Sequence, residues 1–174
     1  MELTDFIRDV EDFPTAGVTF KDITPLLANA AAFAQAVEML AQPFVDSAVN
    51  VVAGIEARGF LFGPPIAQRL GVGFVPLRKP GRLPSEVLGM DYDLEYGSDR
   101  LELHADALDA ESRVLLVDDV LATGGTMTAA IDLVALTGAS VVGASVLIDL
   151  VALGGAAKIG SSGPTVLHSV LEVN

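Results

Sequence analysis

Val114 to Thr126 reads VLLVDDVLATGGT. Val114 to Val117 is an apolar run of strand length that leads into two adjacent acids, Asp118 and Asp119. A short turn follows. Thr123-Gly124-Gly125-Thr126 then opens a helix whose apolar face is marked by Met127, Ala130, Ile131 and Val134. In an open α/β sheet, ligands collect at the carboxyl ends of the strands, where the two acids belong. A helix start made of Thr, Gly, Gly and Thr offers backbone N–H groups and two hydroxyls, a combination suited to a phosphate dianion. Gly124 and Gly125 let the backbone approach such a ligand closely. A phosphate beside two carboxylates implies a phosphorylated sugar, with the acids accepting hydrogen bonds from its vicinal hydroxyls. Other phosphate motifs fit less well. A Walker loop needs a lysine after its second glycine, a dinucleotide fingerprint needs GxGxxG, and neither is present. Receiver domains carry paired acids near the start of the domain, with no TGGT behind them.

Outward from this segment, apolar runs of strand length alternate with helical patterns. Asn29 is placed to cap a helix with Phe33, Ala36, Val37, Leu40 and Phe44 on one face and Pro43 limiting its end. Val49 to Ile55 reads as a strand buried on both faces. Gly59 to Leu70 reads as a helix, although Pro64 and Pro65 suit a first turn or a kink better than a helix interior. Gly73 to Leu77, Val141 to Ile148 and Val166 to Val170 are further strands. This order predicts an α/β fold with a mostly parallel twisted sheet flanked by helices. Residues 12–25 show neither period. Residues 78–100 mix charges, Pro, Gly and both tyrosines, the composition of a long mobile loop with a hairpin.

The chain has 174 residues, which suits one domain, here 1–174. With 23 acidic against 10 basic side chains, its formal charge of −13 argues against nucleic acid as a partner, because phosphate contacts need clustered Lys and Arg. There is no cysteine, hence no disulfide and no thiolate metal site or nucleophile. The longest uncharged run, Leu133 to Ile148, is interrupted by an acid at Asp132 before it and Asp149 after it, shorter than the roughly 20 residues of a spanning helix. Met1 to Asp12 lacks the basic start and apolar core of an export signal, so a cytoplasmic location and no membrane partner are expected. Arg58, Arg78, Lys79 and Arg82 are four of the ten basic residues, all within 25 positions. Arg58 follows a strand end, where the sheet delivers ligands. His104 and His168 show no ligand spacing, and no metal ligand set is expected from the protein itself.

VLLVDDVLATGGT resembles the phosphoribosyl-pyrophosphate (PRPP) signature of type I phosphoribosyltransferases, and in its details that of the adenine phosphoribosyltransferases. FPTAGVTFKDITPLL (13–27), GIEARGFLFGPPIA (54–67), VPLRKPGRLP (75–84) and YDLEYGSDRLELHADAL (92–108) resemble further segments of that family, in the same order. Together these blocks cover most of the chain up to about residue 150.

The resemblance implies a type I core with a small N-terminal hood (1–28) and a flexible catalytic loop (78–100). It implies transfer of the phosphoribosyl group from PRPP to adenine, giving AMP and pyrophosphate by way of an oxocarbenium-like sugar, with Mg²⁺ bound through PRPP or pyrophosphate. Asp118 and Asp119 would take the ribose hydroxyls, and Ala122, Thr123, Gly124, Gly125 and Thr126 the 5′-phosphate. Glu56, Ala57 and Arg58 form the family's pyrophosphate loop, which often contains a non-proline cis peptide; Arg78, Lys79 and Arg82 would assist, Arg82 standing where relatives usually carry Lys. Glu95 matches the acid/base that exchanges a proton with purine N7, Tyr96 a residue that positions it, and Arg58 would share in catalysis. Adenine would meet backbone groups around Thr19 and Lys21, with Phe20 on one face of the ring and Val120 on the other. A homodimer is implied. Two alternatives are a 6-oxopurine phosphoribosyltransferase, taking xanthine or hypoxanthine, and a non-catalytic PRPP-sensing regulator. Ala122, where such relatives generally carry Asp, counts against the first. The presence of Glu95 and the acidic charge count against the second. Residues 152–158, ALGGAAK, depart from the family by lacking the basic residues expected directly after the Val141 to Ile148 strand.

Overall fold

The computed structural model describes residues 1–94, 97–160 and 166–174. Near the N-terminus, β1 (Arg8–Val10) and β2 (Phe20–Asp22) pair antiparallel, with Asp9 opposite Lys21. Three-residue strands are too short to show a period, which is why residues 12–25 read as irregular. Helix α1 (Thr24–Ala28) has Pro25 in its first turn, where a missing N–H removes no helical bond. Asn29 caps α2 (Ala30–Ala41), its side-chain oxygen accepting from the amides of Ala31 and Ala32 at 3.1 and 3.0 Å. Pro43 falls in a short 3-10 turn just beyond it.

The chain continues through β3 (Val51–Ile55), α3 (Gly59–Leu70) and β4 (Gly73–Leu77), then an antiparallel hairpin of β5 (Val87–Leu94) and β6 (Gly97–His104). It ends with β7 (Arg113–Leu121), α4 (Gly125–Ala135), β8 (Ser140–Leu150), α5 (Gly155–Ile159) and β9 (Val166–Val173). Strands β4, β3, β7, β8 and β9 form one sheet in that spatial order, all neighbours parallel.

Successive side chains of a strand point to opposite faces, and β7 shows what this does. Val114 and Leu116 enter a core with Leu133 and Val134 of α4 and with Leu101 and Leu103 of the hairpin. Leu115 and Val117 enter a second core with Leu40 of α2 and Phe62 and Ile66 of α3. The sheet is therefore covered on both sides, and an uninterrupted apolar run is what such a strand requires.

Two expectations change. Pro64 and Pro65 lie inside α3, past its first turn, and the helix runs through them. Burial of Phe62, Ile66 and Ala67 against the sheet outweighs the lost amide donors. Strand β7 does not stop at Val117 but continues to Leu121, because Asp118, Val120 and Leu121 remain paired with Val146, Ile148 and Asp149 of β8. The hairpin expected within residues 78–100 is formed by β5 and β6, which pair along eight residues each and extend it to His104, and Leu88, Met90 and Tyr92 pack on the α4-side core. Among the described residues, no helix is long and apolar enough to cross a membrane.

Candidate functional site

The carboxyl ends of β3 and β7 lie side by side, since the two strands are paired from Val51–Val114 to Gly54–Val117. Residues some sixty positions apart in sequence therefore meet at one edge, around a cavity of about 260 Å³. From the turn after β3 come Glu56, Ala57 and Arg58; from β7 and the loop after it come Asp118 to Thr126 without interruption. Lys79, just after β4, and Tyr92, on β5, close another side. The Glu56–Ala57 peptide is cis.

Asp119 is the deepest acid, 2 % exposed. Arg58 Nε stands 2.9 Å from its Oδ2 in an ion pair. The two are not aligned as a hydrogen bond, and among the described residues Oδ2 is a buried acceptor without a hydrogen-bond partner. Such an atom is suited to a hydroxyl or a hydrated cation. Asp118 turns one oxygen back to accept from the Asp119 amide at 2.9 Å. Burial pushes both carboxyls upward; for Asp118 the charge of Asp119 adds to the rise, while Arg58 opposes it at both.

The phosphate-type loop is held by close packing. Gly124 has φ +80°, a conformation that L side chains rarely adopt, and its carbonyl accepts from the Thr128 hydroxyl at 2.8 Å. A Cβ on Gly124 would come within 2.9 Å of the Gly155 carbonyl, and a Cβ on Gly155 would run into the Ala122 carbonyl. The start of α5 thus lies directly behind the loop. ALGGAAK contributes there through small size rather than charge, and the Gly-Gly pair at 154–155 was the available signal.

Arg78, Lys79 and Lys21 are tethered by neighbouring acids. Glu56 accepts from the Lys79 amide at 2.9 Å and from Arg78 Nε at 3.2 Å. Burial alone would raise the Glu56 carboxyl, but these two donors hold it below its ordinary value. Arg78 also reaches the Arg82 carbonyl and the face of Phe60. Arg78 and Arg82 do not line the cavity. Neither do Thr19 and Lys21, the latter paired with Asp9 at 2.7 Å. Phe20 is joined to the site through Arg58, whose guanidinium carbon lies 5.0 Å from the centre of its ring. Val120 is in the cavity wall. Glu95 and Tyr96 lie outside the described residues.

A family profile described as a phosphoribosyl transferase domain matches residues 25–154. The adenine phosphoribosyltransferase of Thermobifida fusca is 58% identical over 142 residues, 82% of this chain and 81% of that protein. Among solved structures, adenine phosphoribosyltransferase from Thermoanaerobacter pseudethanolicus superposes with a TM-score of 0.93 at 47% identity, covering 98% of both chains. The enzyme of Saccharomyces cerevisiae, complexed with adenine and an imino-altritol bisphosphate, gives 0.89 at 36% identity, covering 97% of this chain and 96% of the other. The profile match over most of the chain, the identity to these relatives and the superposition agree, and the chain belongs to the phosphoribosyltransferases and, among them, to the adenine phosphoribosyltransferase family.

Proposed function

We propose that this chain, acting as one domain, transfers the 5-phosphoribosyl group of PRPP to adenine, releasing AMP and pyrophosphate. The reading rests above all on one observation, the meeting of Arg58 and Asp119 in a cavity whose wall includes the Ala122–Thr126 loop. The yeast relative, solved with adenine and a sugar-like bisphosphate, supports the same pair of substrates.

The chemistry follows from the side chains. The 5′-phosphate sits on the amides and hydroxyls of Thr123 to Thr126, where the start of α4 favours an anion. Asp118 and Asp119 accept the ribose hydroxyls and fix the sugar. As the bond to pyrophosphate lengthens, positive charge grows on the ring, and the nearby carboxylates favour it in a site that excludes water. Arg58 and Lys79 take the departing pyrophosphate, with Glu56 and Ala57 shaping that side and Arg78 and Arg82 adding positive charge behind it. Adenine lies between Phe20 and Val120, near the backbone of Thr19 and Lys21, with its attacking nitrogen toward the sugar. Glu95, positioned by Tyr96, exchanges the proton at purine N7.

Magnesium fits this site as a ligand of PRPP, because Asp119 Oδ2, which accepts no hydrogen bond among the described residues, and the neighbouring Asp118 suit a hydrated divalent cation. When bound, it offsets the charge of the pyrophosphate. A homodimer in the cytoplasm completes the reading, supported by the family resemblance and, for the dimer, by exposed apolar side chains such as Leu61 and Leu136.

The test is nucleotide formation from PRPP, Mg²⁺ and one base at a time. AMP from adenine, with hypoxanthine, guanine and xanthine inert, is the expected result. Asp119→Asn should lower kcat/KM by about 100-fold or more, the scale of a lost electrostatic contact in a transition state. Turnover of a 6-oxopurine would overturn the base assignment. PRPP binding without turnover of any base would make the chain a sensor rather than an enzyme.

A further inference from the structure

Lys79 reaches the cavity from the loop after the edge strand β4, yet its ammonium is held by the hairpin. Its Nζ donates to the Tyr92 hydroxyl at 2.8 Å and to Asp99 Oδ2. The Tyr92 hydroxyl also donates to Asp99 Oδ2, at 3.1 Å, so the three groups form a closed set. The other oxygen, Oδ1, accepts from the Arg100 amide at 2.8 Å, which fixes the carboxylate plane. Tyr92 and Asp99 are direct cross-strand partners in the β5–β6 register, so strand pairing alone brings them together.

The placement is asymmetric. Lys79 and Tyr92 line the cavity, whereas Asp99 lies behind them. An ammonium has three donors and no acceptor. Among the described residues two of Lys79's are used, on Tyr92 and Asp99, leaving a third for an anion in the cavity. A lysine side chain otherwise loses much of its rotamer freedom when it is fixed. The hairpin has already fixed this one. Burial would lower the Lys79 amine, but its two hydrogen bonds outweigh that and keep it firmly charged.

We infer that Tyr92 and Asp99 are positioning residues for Lys79, holding its ammonium in the cavity wall with one N–H directed at the pyrophosphate group of PRPP. The inference rests on the assignment of Lys79 to pyrophosphate proposed above. It makes the hairpin a structural part of the pyrophosphate site, not merely the segment that carries Glu95 in sequence.

A double-mutant cycle tests it. Tyr92→Phe keeps the ring in the core and removes only the hydroxyl, and Asp99→Asn keeps the shape and removes the charge. Dissociation constants for PRPP and for inorganic pyrophosphate, each with Mg²⁺, and KM for adenine would be measured in both variants, in Lys79→Met, and in Lys79→Met combined with Tyr92→Phe. Each hairpin variant should weaken both anions about five- to tenfold, the scale of one charge-assisted hydrogen bond, with KM for adenine unchanged. In the Lys79→Met background, Tyr92→Phe should add nothing. An equal loss with and without Lys79 would overturn the inference, as would a Tyr92→Phe variant with unaltered anion binding beside a weakened Lys79→Met. If Lys79→Met itself binds both anions normally, the assignment of Lys79 to pyrophosphate falls, and the inference with it. Should Asp99→Asn fail to fold, Tyr92→Phe carries the test.

Discussion

Asp118 and Asp119 stand next to each other in the cavity wall, Asp119 buried and Asp118 partly so, and their electrostatics oppose folding. Burial favours the neutral carboxyl at both, the charge of Asp119 further disfavours that of Asp118, and Arg58 compensates only in part. The sign of the effect on stability is fixed by proton counting. In the folded chain the pair keeps a proton at a pH where the unfolded chain has released it. Stability therefore falls as pH rises from the ordinary carboxylate range through the raised folded value. Asp118→Asn should accordingly unfold a few degrees above the parent at pH 7, with the gain shrinking toward pH 4 while transfer activity is lost. A calorimetric pH series checks this, and a variant less stable than the parent at pH 7 would sink it. Both acids were legible from sequence, because an apolar strand rarely ends in two carboxylates without a ligand for them. The unpartnered state of the Asp119 oxygen was not, since it depends on the angle at which Arg58 arrives from another strand.

At the scale of elements, the support behind the phosphate loop comes from α5. Gly155→Ala would place a methyl group against the Ala122 carbonyl and push the loop toward the ligand. Overpacking of this kind is worth about 1–3 kcal/mol. The expected outcome is a roughly tenfold rise in KM for PRPP with KM for adenine little changed, read from initial rates at varied concentrations of each substrate. A normal KM for PRPP would show that α5 does not shape the loop. The helices and inner strands could be read from sequence because their apolar periods report burial directly. Gly59 to Leu70 and Gly73 to Leu77 match the observed α3 and β4. The hairpin was harder. Its inward residues Leu88, Met90, Tyr92, Leu101 and Leu103 do alternate, but Asp91, Asp99, Arg100 and Glu102 between them give it the composition of a loop. The extension of β7 to Leu121 could not be read at all, because pairing with β8 sets it. The ion-pair partners of Arg78 and Lys79 likewise depend on strands that come together only in the folded molecule.

Over the whole molecule, the cavity is built on parts of unequal depth in the sheet. Strand β7, which carries both acids and leads into the phosphate loop, is central and hydrogen-bonded on both sides, whereas β4, which leads to Lys79, is an edge strand. Beyond β4 the hairpin joins through the Arg78–Glu102 bridge and its packing on α4. Amide exchange follows such differences, since edge units open at lower free energy than the centre of a sheet. Amides of β7 should therefore exchange by global unfolding, and those of β4 and the hairpin by smaller, more frequent openings. Exchange at equal rates in β4 and β7 would contradict this. On the proposed site, Lys79 then belongs to a less stable cooperative unit than Arg58 and the phosphate loop. An opening of the edge would loosen one of the two cationic holds on the leaving group, while the sugar phosphate keeps its cradle.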